Sequence, residues 1–194
     1  ESLSYAFSPE WWHLTCCPTN TGTGMRASVM SHLPALVMTK QIDKVVNMIT
    51  KLHLAVRGFY GEGTQASGNL FQISNQVTLG HSETEIIDSI ERVIRQIIDY
   101  EMNARKSLMT QGKLELEDRI FRAYGTLRSA YIISSNETTD LLSMVRLGVD
   151  LGLIQELDRK LLNELFILTQ PSHLQKMEGK TLSASQRDVK RAMI

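Results

Sequence analysis

The sequence has few cysteines and no excess of either charge. Its only two cysteines, Cys16 and Cys17, are neighbours in a chain of 194 residues. This excludes an ordinary framework of loop-closing disulfides and fits a reducing, cytoplasmic compartment. Lysine plus arginine and aspartate plus glutamate both total 21, so the net charge is zero. The chain therefore has no overall positive charge that would attract nucleic acid or anionic lipid. We therefore expect neither a nucleic-acid partner nor a membrane partner.

Long apolar runs and targeting signals are also lacking. No stretch approaches the length of a membrane-spanning helix, and the opening residues ESLSYAFSPE lack the basic start and apolar core of a signal peptide. The chain does not begin with Met, so we expect a domain excised from a longer protein. An apolar content of 42% is sufficient to bury a core, which predicts a globular chain.

Several motifs of catalysis and metal binding are missing. The segment GTGMRA lacks the third glycine of a dinucleotide fingerprint, and no Gly-Lys-Ser/Thr run forms a P-loop. No Gly-x-Ser-x-Gly elbow supports acyl transfer. The five histidines have no metal-ligand spacing, so we expect no metal site. If the protein uses ATP, side chains must hold the phosphates, and arginine suits this task because its planar fork binds phosphate oxygens bidentately.

The periodicity changes along the chain. Short apolar segments bounded by Gly, Pro or Asn predict strands at WHLTC, RASVMSHL, LAVRGFY and NLFQISN, and KQIDKVVNMITKL between them predicts a helix. After Leu79 the pattern is helical, beginning with Ser82 and Glu85 at capping-box spacing and including a helix ended by Pro171. The sequence therefore predicts an α+β fold with a β-rich part at 1–82 and a helical part at 83–194.

Four residues are candidates for chemistry. Arg26 and Arg57 lie inside apolar strand patterns, where an unpaired charge is costly. Each needs an anionic partner, and a buried salt bridge and a phosphate fit equally well. Glu62 lies between two glycines and is either a solvated loop acid or a functional carboxylate. Cys17 is either a small buried apolar residue or a thiol activated by the backbone amides of the turn CPTNTGTG.

The segments CPTNTGTGMRASV, VRGFYGEG, NLFQISN and LGHSE, in that order, resemble the catalytic lobe of the phosphagen (guanidino) kinases. The later segments LEDRIFRAYGTLRSAYIIS, ILTQPSHLQKMEG and RDVKRA are similar to the bacterial protein-arginine kinase branch (McsB type). The resemblance implies the antiparallel sheet of that lobe flanked by helices, a helical carboxy-terminal region, and phosphoryl transfer from ATP with Mg²⁺ to arginine side chains in proteins. A kinase of a small free guanidino compound and a non-catalytic phosphoarginine-binding module are the alternatives.

The resemblance also implies roles for the four candidates. Arg26 and Arg57 match arginines that hold the ATP phosphates, Glu62 matches the carboxylate that deprotonates the guanidinium, and Cys17 matches a thiol beside it. A base is needed because the guanidinium pKa exceeds about 12. The family's Asn-Glu-Glu-Asp-His and Ser-Arg-x-Arg motifs, which normally precede the CPTN turn, have no counterpart here. We therefore expect a carboxy-terminal part of the enzyme that is inactive alone. Cys16 is expected to serve packing.

The terminal motif RDVKRA has two interpretations. Arg187 and Arg191 are four residues apart and share a helix face, with Asp188 beside them. They form either a solvated basic end or, as the resemblance implies, a phosphoarginine-binding pocket away from the active site. The same branch implies protein substrates with exposed arginines, an activator protein, a stress-response repressor, the Clp protease system and a homodimer as partners.

Overall fold

The computed structural model describes residues 4–58 and 67–194, and within them it contains five strands and eight α-helices. The strands are β1 (Phe7–Ser8), β2 (Trp12–His13), β3 (Ser28–His32), β4 (Leu54–Gly58) and β5 (Leu70–Asn75). The helices are α1 (Pro34–Met38), α2 (Ile42–Lys51), α3 (Glu83–Gln111), α4 (Lys113–Ser129), α5 (Ser135–Asp150), α6 (Arg159–Leu168), α7 (Pro171–Glu178) and α8 (Ala184–Arg191). The predicted α+β class is confirmed.

Contacts divide the chain into two compact units. The first consists of the described part of Glu1–Ala66 with Leu70–Arg105, and its fully buried side chains include Leu36, Ile49, Ile73 and Ile97. The second consists of Ser67–Asn69 with Lys106–Ile194, and its fully buried side chains include Leu116, Ile120, Leu147 and Leu162. The division predicted from the sequence, 1–82 and 83–194, stays a prediction.

The first unit contains an antiparallel sheet of three strands in the order β3-β5-β4. The central strand β5 pairs Ile73 with Val29 on one side and with Val56 on the other. Ile73 is fully buried, so one face of the sheet belongs to the core. Strand β2 is shorter than the predicted strand WHLTC. It covers two residues, pairs with β1 and forms isolated bridges to Gly22, because the chain turns at the cysteines.

A buried carboxylate fixes the short helix α1 in the first unit. The side chain of Glu101, in α3, accepts hydrogen bonds from the backbone N–H groups of Ala35 (3.1 Å) and Leu36 (3.0 Å). These amides lie in the first turn of α1, where a helix has no internal acceptors for them. Arg105 donates to the same carboxylate at 2.7 Å and balances its charge.

Local capping explains where several helices begin. Ser82 and Glu85 form the predicted capping box: Glu85 N–H donates to Ser82 Oγ (3.3 Å) and Ser82 N–H donates to Glu85 Oε2 (2.8 Å). Pro171 ends the preceding helix as predicted, but it also occupies the first turn of α7, where its missing N–H costs nothing. Among residues 4–58 and 67–194, no helix is both long and apolar enough to cross a membrane.

Candidate functional site

The turn after β2 presents both cysteines to solvent. Cys16 and Cys17 are exposed and form no disulfide, so the expectation that Cys16 packs in the interior is wrong. Cys17 precedes a short 3-10 helix, Pro18–Asn20, and its carbonyl accepts hydrogen bonds from Asn20 N–H (2.9 Å) and from the Thr15 hydroxyl (2.6 Å). The Cys17 Sγ atom lies 3.0 Å from Thr19 Oγ1. The turn therefore holds the Cys17 thiol at the surface beside a hydroxyl group.

Gly22 and Thr78 fasten the far side of this turn. Gly22 exchanges backbone hydrogen bonds with His13 and has a φ of 115°, a conformation that favours glycine. A Cβ atom at Gly22 would lie 2.6 Å from the carbonyl oxygen of Thr78. The Thr78 hydroxyl reaches the carbonyl oxygens of Thr21 (2.7 Å) and Thr19 (3.1 Å). The turn that begins at Cys17 is thus tied to the segment that follows β5.

The register of the sheet relates the two candidate arginines. Arg57 lies in β4 directly opposite Gln72, and Gln72 lies directly opposite Met30 in β3. The side chain of Gln72 donates to Ser28 Oγ at 3.1 Å, so this row is on the same face as Ser28. Arg26 is two residues before Ser28, at the entry to β3. The register therefore places Arg57 in the row of Gln72 and Met30, and Arg26 precedes the strand that carries Met30.

The two arginines differ in their surroundings. Arg57 is half-buried within β4, as the strand pattern predicted. Arg26 is exposed and precedes β3 by two residues, so the prediction that it lies inside a strand is wrong. Asn75 explains why the strand does not extend that far as a regular ladder. Its side chain bonds the backbone on either side of Arg26 at Met25 and Ala27, and only one backbone bond, from Asn75 N–H to Ala27 O, accompanies these contacts among the described residues.

Glu62, the remaining candidate of the catalytic group, lies outside the described residues. Within them, no cluster of three or more His, Cys, Asp or Glu side chains could hold a metal ion. Sequence reasoning missed the contribution of Asn75 and Thr78 to the site. The motif NLFQISN was identified for its strand pattern, but its terminal asparagine gave no local signal because its partners are about 50 residues away in the sequence.

The tail motif is folded into the second unit. The Arg191 side chain is 1% exposed and donates to Thr169 O (2.8 Å), Ile133 O (2.8 Å) and Asp188 Oδ1 (2.6 Å). Arg187 is half-buried and donates to Leu182 O at 2.7 Å. Buried Arg191 therefore does not belong to a solvated basic end.

Two further groups in the second unit have perturbed acidity. Lys190 donates to Glu178 at 2.8 Å, and this hydrogen bond lowers the pKa of Glu178 from its ordinary value of 4.5. Tyr124 donates to Glu156 at 2.6 Å, and this bond raises the pKa of Tyr124 from its ordinary value of 10.0. Tyr124 and Arg191 also line a cavity of about 220 Å³ whose other walls are mostly leucine, isoleucine and valine.

Two family models match the chain, one after the other. The ATP:guanido phosphotransferase C-terminal catalytic domain matches residues 1–104, which are more than half of the chain. The protein-arginine kinase McsB C-terminal domain matches residues 113–194.

Similar proteins cover the chain from end to end. The protein-arginine kinase of Bacillus subtilis (strain 168) is 52% identical over 194 residues, which are 100% of this chain and 53% of that protein. The protein-arginine kinase of Halothermothrix orenii is 53% identical over 192 residues, 99% of this chain and 55% of that protein. The chain thus spans about half the length of these curated relatives. Among solved structures, the duplicated taurocyamine kinase from Schistosoma mansoni with bound transition state analog components is 34% identical over 53% of this chain and 14% of that chain, with a TM-score of 0.46.

Proposed function

We propose that this chain, which belongs to the ATP:guanido phosphotransferase family, supplies part of the active site of a kinase that transfers phosphate from ATP to arginine side chains in proteins. The observation that supports this most strongly is the 52% identity to a protein-arginine kinase over the whole chain, including the second unit. The exposed thiols of Cys16 and Cys17 agree with a reducing cytoplasm as its compartment.

Arg57 in β4 and Arg26 at the entry to β3 are the proposed phosphate ligands. Phosphoryl transfer proceeds mainly through positioning and charge stabilisation, because charge spreads over the oxygens of the moving group. Arg57, half-buried in β4, supplies a charge whose position is fixed by the sheet. Arg26, exposed at the entry to β3, supplies a second charge. Together they would neutralise the transferred phosphate group.

The proposed acceptor side consists of Glu62 and Cys17. A carboxylate at Glu62 would take a proton from the substrate guanidinium, whose nitrogen is a poor nucleophile while protonated. The exposed Cys17 thiol beside Thr19 would contact the same guanidinium without forming a bond to phosphate. Mg²⁺ would enter with ATP, since this ion usually binds through substrate phosphates and water. The described residues contain no carboxylate cluster that would hold it independently.

The tail is proposed as a second binding site, for phosphoarginine. Asp188 has a side chain that is 30% exposed and Arg187 is half-buried beside it. An arginine suits the phosphate and a carboxylate suits the guanidinium of that ligand. Because Arg191 already donates to three acceptors inside the protein, its part is to hold Asp188 in place. Titration calorimetry should show phosphoarginine binding that Arg187→Ala weakens, and equal binding by this variant would refute the assignment.

The main experiment replaces the matching segment of the Bacillus subtilis relative with this chain, which spans 53% of that protein. The chimaera is incubated with MgATP and an unfolded, arginine-rich protein, and phosphoarginine is measured by phosphorus NMR and mass spectrometry. We expect turnover that Glu62→Gln lowers by about 10²–10⁴-fold and that Arg57→Ala lowers together with nucleotide affinity.

The exposed Arg95 in α3 provides a matched control. Arg95→Ala also removes a positive charge, but this charge pairs only with Glu91 among the described side chains. Phosphorylation of a free guanidino compound with none on protein would favour the small-molecule kinase. A chimaera that stays inactive while the unaltered relative is active would contradict the proposal.

A further inference from the structure

Asn75 holds the backbone on both sides of Arg26. It is the last residue of β5 and is 6% exposed. Its Oδ1 atom accepts a hydrogen bond from Ala27 N–H at 2.9 Å, and its Nδ2 group donates to Met25 O at 3.0 Å. Asn75 N–H in turn donates to Ala27 O at 3.3 Å. Two of these bonds fix the peptide groups that flank Arg26, and the third fixes the peptide group that follows them.

Asn75 also links this segment to the next one. The same Nδ2 group donates to Val77 O at 3.3 Å, which fixes the chain as it leaves β5. The following residue, Thr78, is 3% exposed. A side-chain amide has two N–H donors and one carbonyl acceptor, so Asn75 uses both kinds of group here. A smaller or purely apolar side chain at this position could not make these contacts.

Thr78 holds the turn that begins at Cys17. A hydroxyl has one proton to donate, and the Thr78 hydroxyl shares it between Thr21 O (2.7 Å) and Thr19 O (3.1 Å). Thr78 O also accepts from Thr23 N–H at 3.4 Å. These bonds hold both ends of the short stretch that follows Cys17, and Thr19 Oγ1 lies 3.0 Å from the Cys17 Sγ atom.

We propose that Asn75 and Thr78 form a positioning clamp that sets the backbone at Arg26 and the turn that carries Cys17 in fixed places relative to each other. The inference rests on the proposed function, since it assumes that Arg26 contacts phosphate and Cys17 contacts the acceptor. Both segments lie outside the regular strands, so the side chains of Asn75 and Thr78 add to the few backbone bonds that hold them. Reactive groups must be held within about 0.5 Å of productive geometry, and buried side chains at the end of β5 provide that support.

The hydroxyl of Thr78 gives the sharpest test. Thr78→Val keeps the shape and removes the donor, whereas Thr78→Ser keeps the donor. In the chimaera we expect Thr78→Val to lower kcat by about 10- to 100-fold with a smaller change in KM for ATP, because misplacement of a reacting group mainly affects turnover. Thr78→Ser should restore most of the turnover. The control is Thr50→Val in α2, which removes an exposed hydroxyl that donates to Val46 O at 2.9 Å.

A second measurement needs no catalysis and uses the 194-residue chain itself. Thr78→Val should change the rate at which iodoacetamide labels Cys17 relative to Cys16, and Thr78→Ser should restore the ratio. In the unmodified chain, the Ala27 amide should exchange with solvent more slowly than the amides of an open loop, and Asn75→Ala should accelerate exchange at Ala27, because it removes the Oδ1 atom that accepts from the Ala27 N–H. If Thr78→Val fails to fold by circular dichroism, the Ala27 exchange rate in the unmodified chain decides alone.

The outcomes separate the clamp from the proposed function. If Arg26→Ala and Cys17→Ser leave chimaera turnover unchanged, the proposed roles of Arg26 and Cys17 are wrong. If these two changes reduce turnover but Thr78→Val behaves like Thr50→Val in turnover and labelling, the clamp is wrong and the proposed function stands. Fast exchange at Ala27 in the unmodified chain would also overturn the clamp.

Discussion

Replacing Arg191 should destabilise the second unit strongly, although the residue belongs to a basic tail. Its side chain is 1% exposed and donates to two backbone carbonyls and to Asp188. Thr169, one of the acceptors, is the C-terminal cap of α6, and Ile133, the other, lies between α4 and α5. Arg191→Ala would leave these two carbonyls and the Asp188 carboxylate without their donor.

The size of this stability loss follows from the burial of the Arg191 side chain. Hydrogen bonds to a charged group contribute about 1.5–3 kcal/mol each, and three of them set an upper bound near 9 kcal/mol before the arginine regains its hydration. Removing one partner of a buried ion pair typically costs about 3–5 kcal/mol, which is the expected loss for Arg191→Ala. Arg191→Lys should lie between this variant and the unmodified chain, because a single ammonium group cannot match three acceptors in different directions.

Urea unfolding followed by circular dichroism measures the loss. A cost of about 3–5 kcal/mol should lower the midpoint by about 1.5–2.5 M for a slope near 2 kcal/mol per M. Lys190→Ala is the matched control, since this neighbour on α8 pairs with Glu178 with side chains 41% and 30% exposed and should cost about 0.2–1 kcal/mol. Equal effects of Arg191→Ala and Lys190→Ala would refute the reasoning. A large loss would mean that phosphoarginine binding is better tested at Arg187.

The structure also predicts the direction of change for a pair of glycine substitutions and for one pH dependence. Gly148→Ala should lower the free energy of unfolding in urea by about 1–3 kcal/mol, because the new Cβ would lie 2.5 Å from Ile120 Cγ2. Gly125→Ala in α4 meets nothing within 4 Å and should raise the free energy of unfolding by about 0.5–1 kcal/mol. The same sign for both changes would contradict the packing argument. At the start of α3, hydrogen bonds from the Ser82 backbone N–H and hydroxyl lower the pKa of Glu85 from its ordinary value of 4.5, so the capping contribution is present above pH 4.5 and is lost as the pH falls through the lowered pKa. Glu85→Gln should abolish that pH dependence in NMR titrations of the Ser82 amide, and an unchanged titration would refute the link.

Features encoded by neighbouring residues could be predicted from the sequence. The capping box joins Ser82 and Glu85, which are three positions apart in the sequence, and it is formed as predicted. The α+β class followed from the change of periodicity after Leu79. By contrast, Glu101 caps α1 from 66 residues away, and neither its spacing nor its charge points to that role. A buried carboxylate of this kind becomes visible only when the tertiary structure brings distant backbone amides to it.

The candidate site shows the same limit. The motifs identified Cys17, Arg26 and Arg57, but the short apolar segment RASVMSHL placed Arg26 inside a strand. The side chain of Asn75 makes two of the bonds that hold the chain there, and a sequence pattern cannot reveal such contacts. Arg57, held by regular pairing with β5, lies where the pattern predicted. The strand pattern therefore located Arg57, which lies in a regularly paired strand, and misplaced Arg26, whose flanking backbone is bonded by a side chain.

This contrast suggests different parts for the two arginines in the proposed reaction. Arg57 lies in β4, which is paired along its length with the central strand β5, so its backbone position should vary little between free and nucleotide-bound protein. Arg26 is exposed, and the bonds from Asn75 fix its backbone rather than its guanidinium. Its side chain must still lose rotamer freedom when it binds phosphate, at a cost of up to about 2 kcal/mol. A clamp on the flanking peptides reduces the remaining disorder to the side chain alone, which is why an exposed arginine can serve a reaction that depends on positioning.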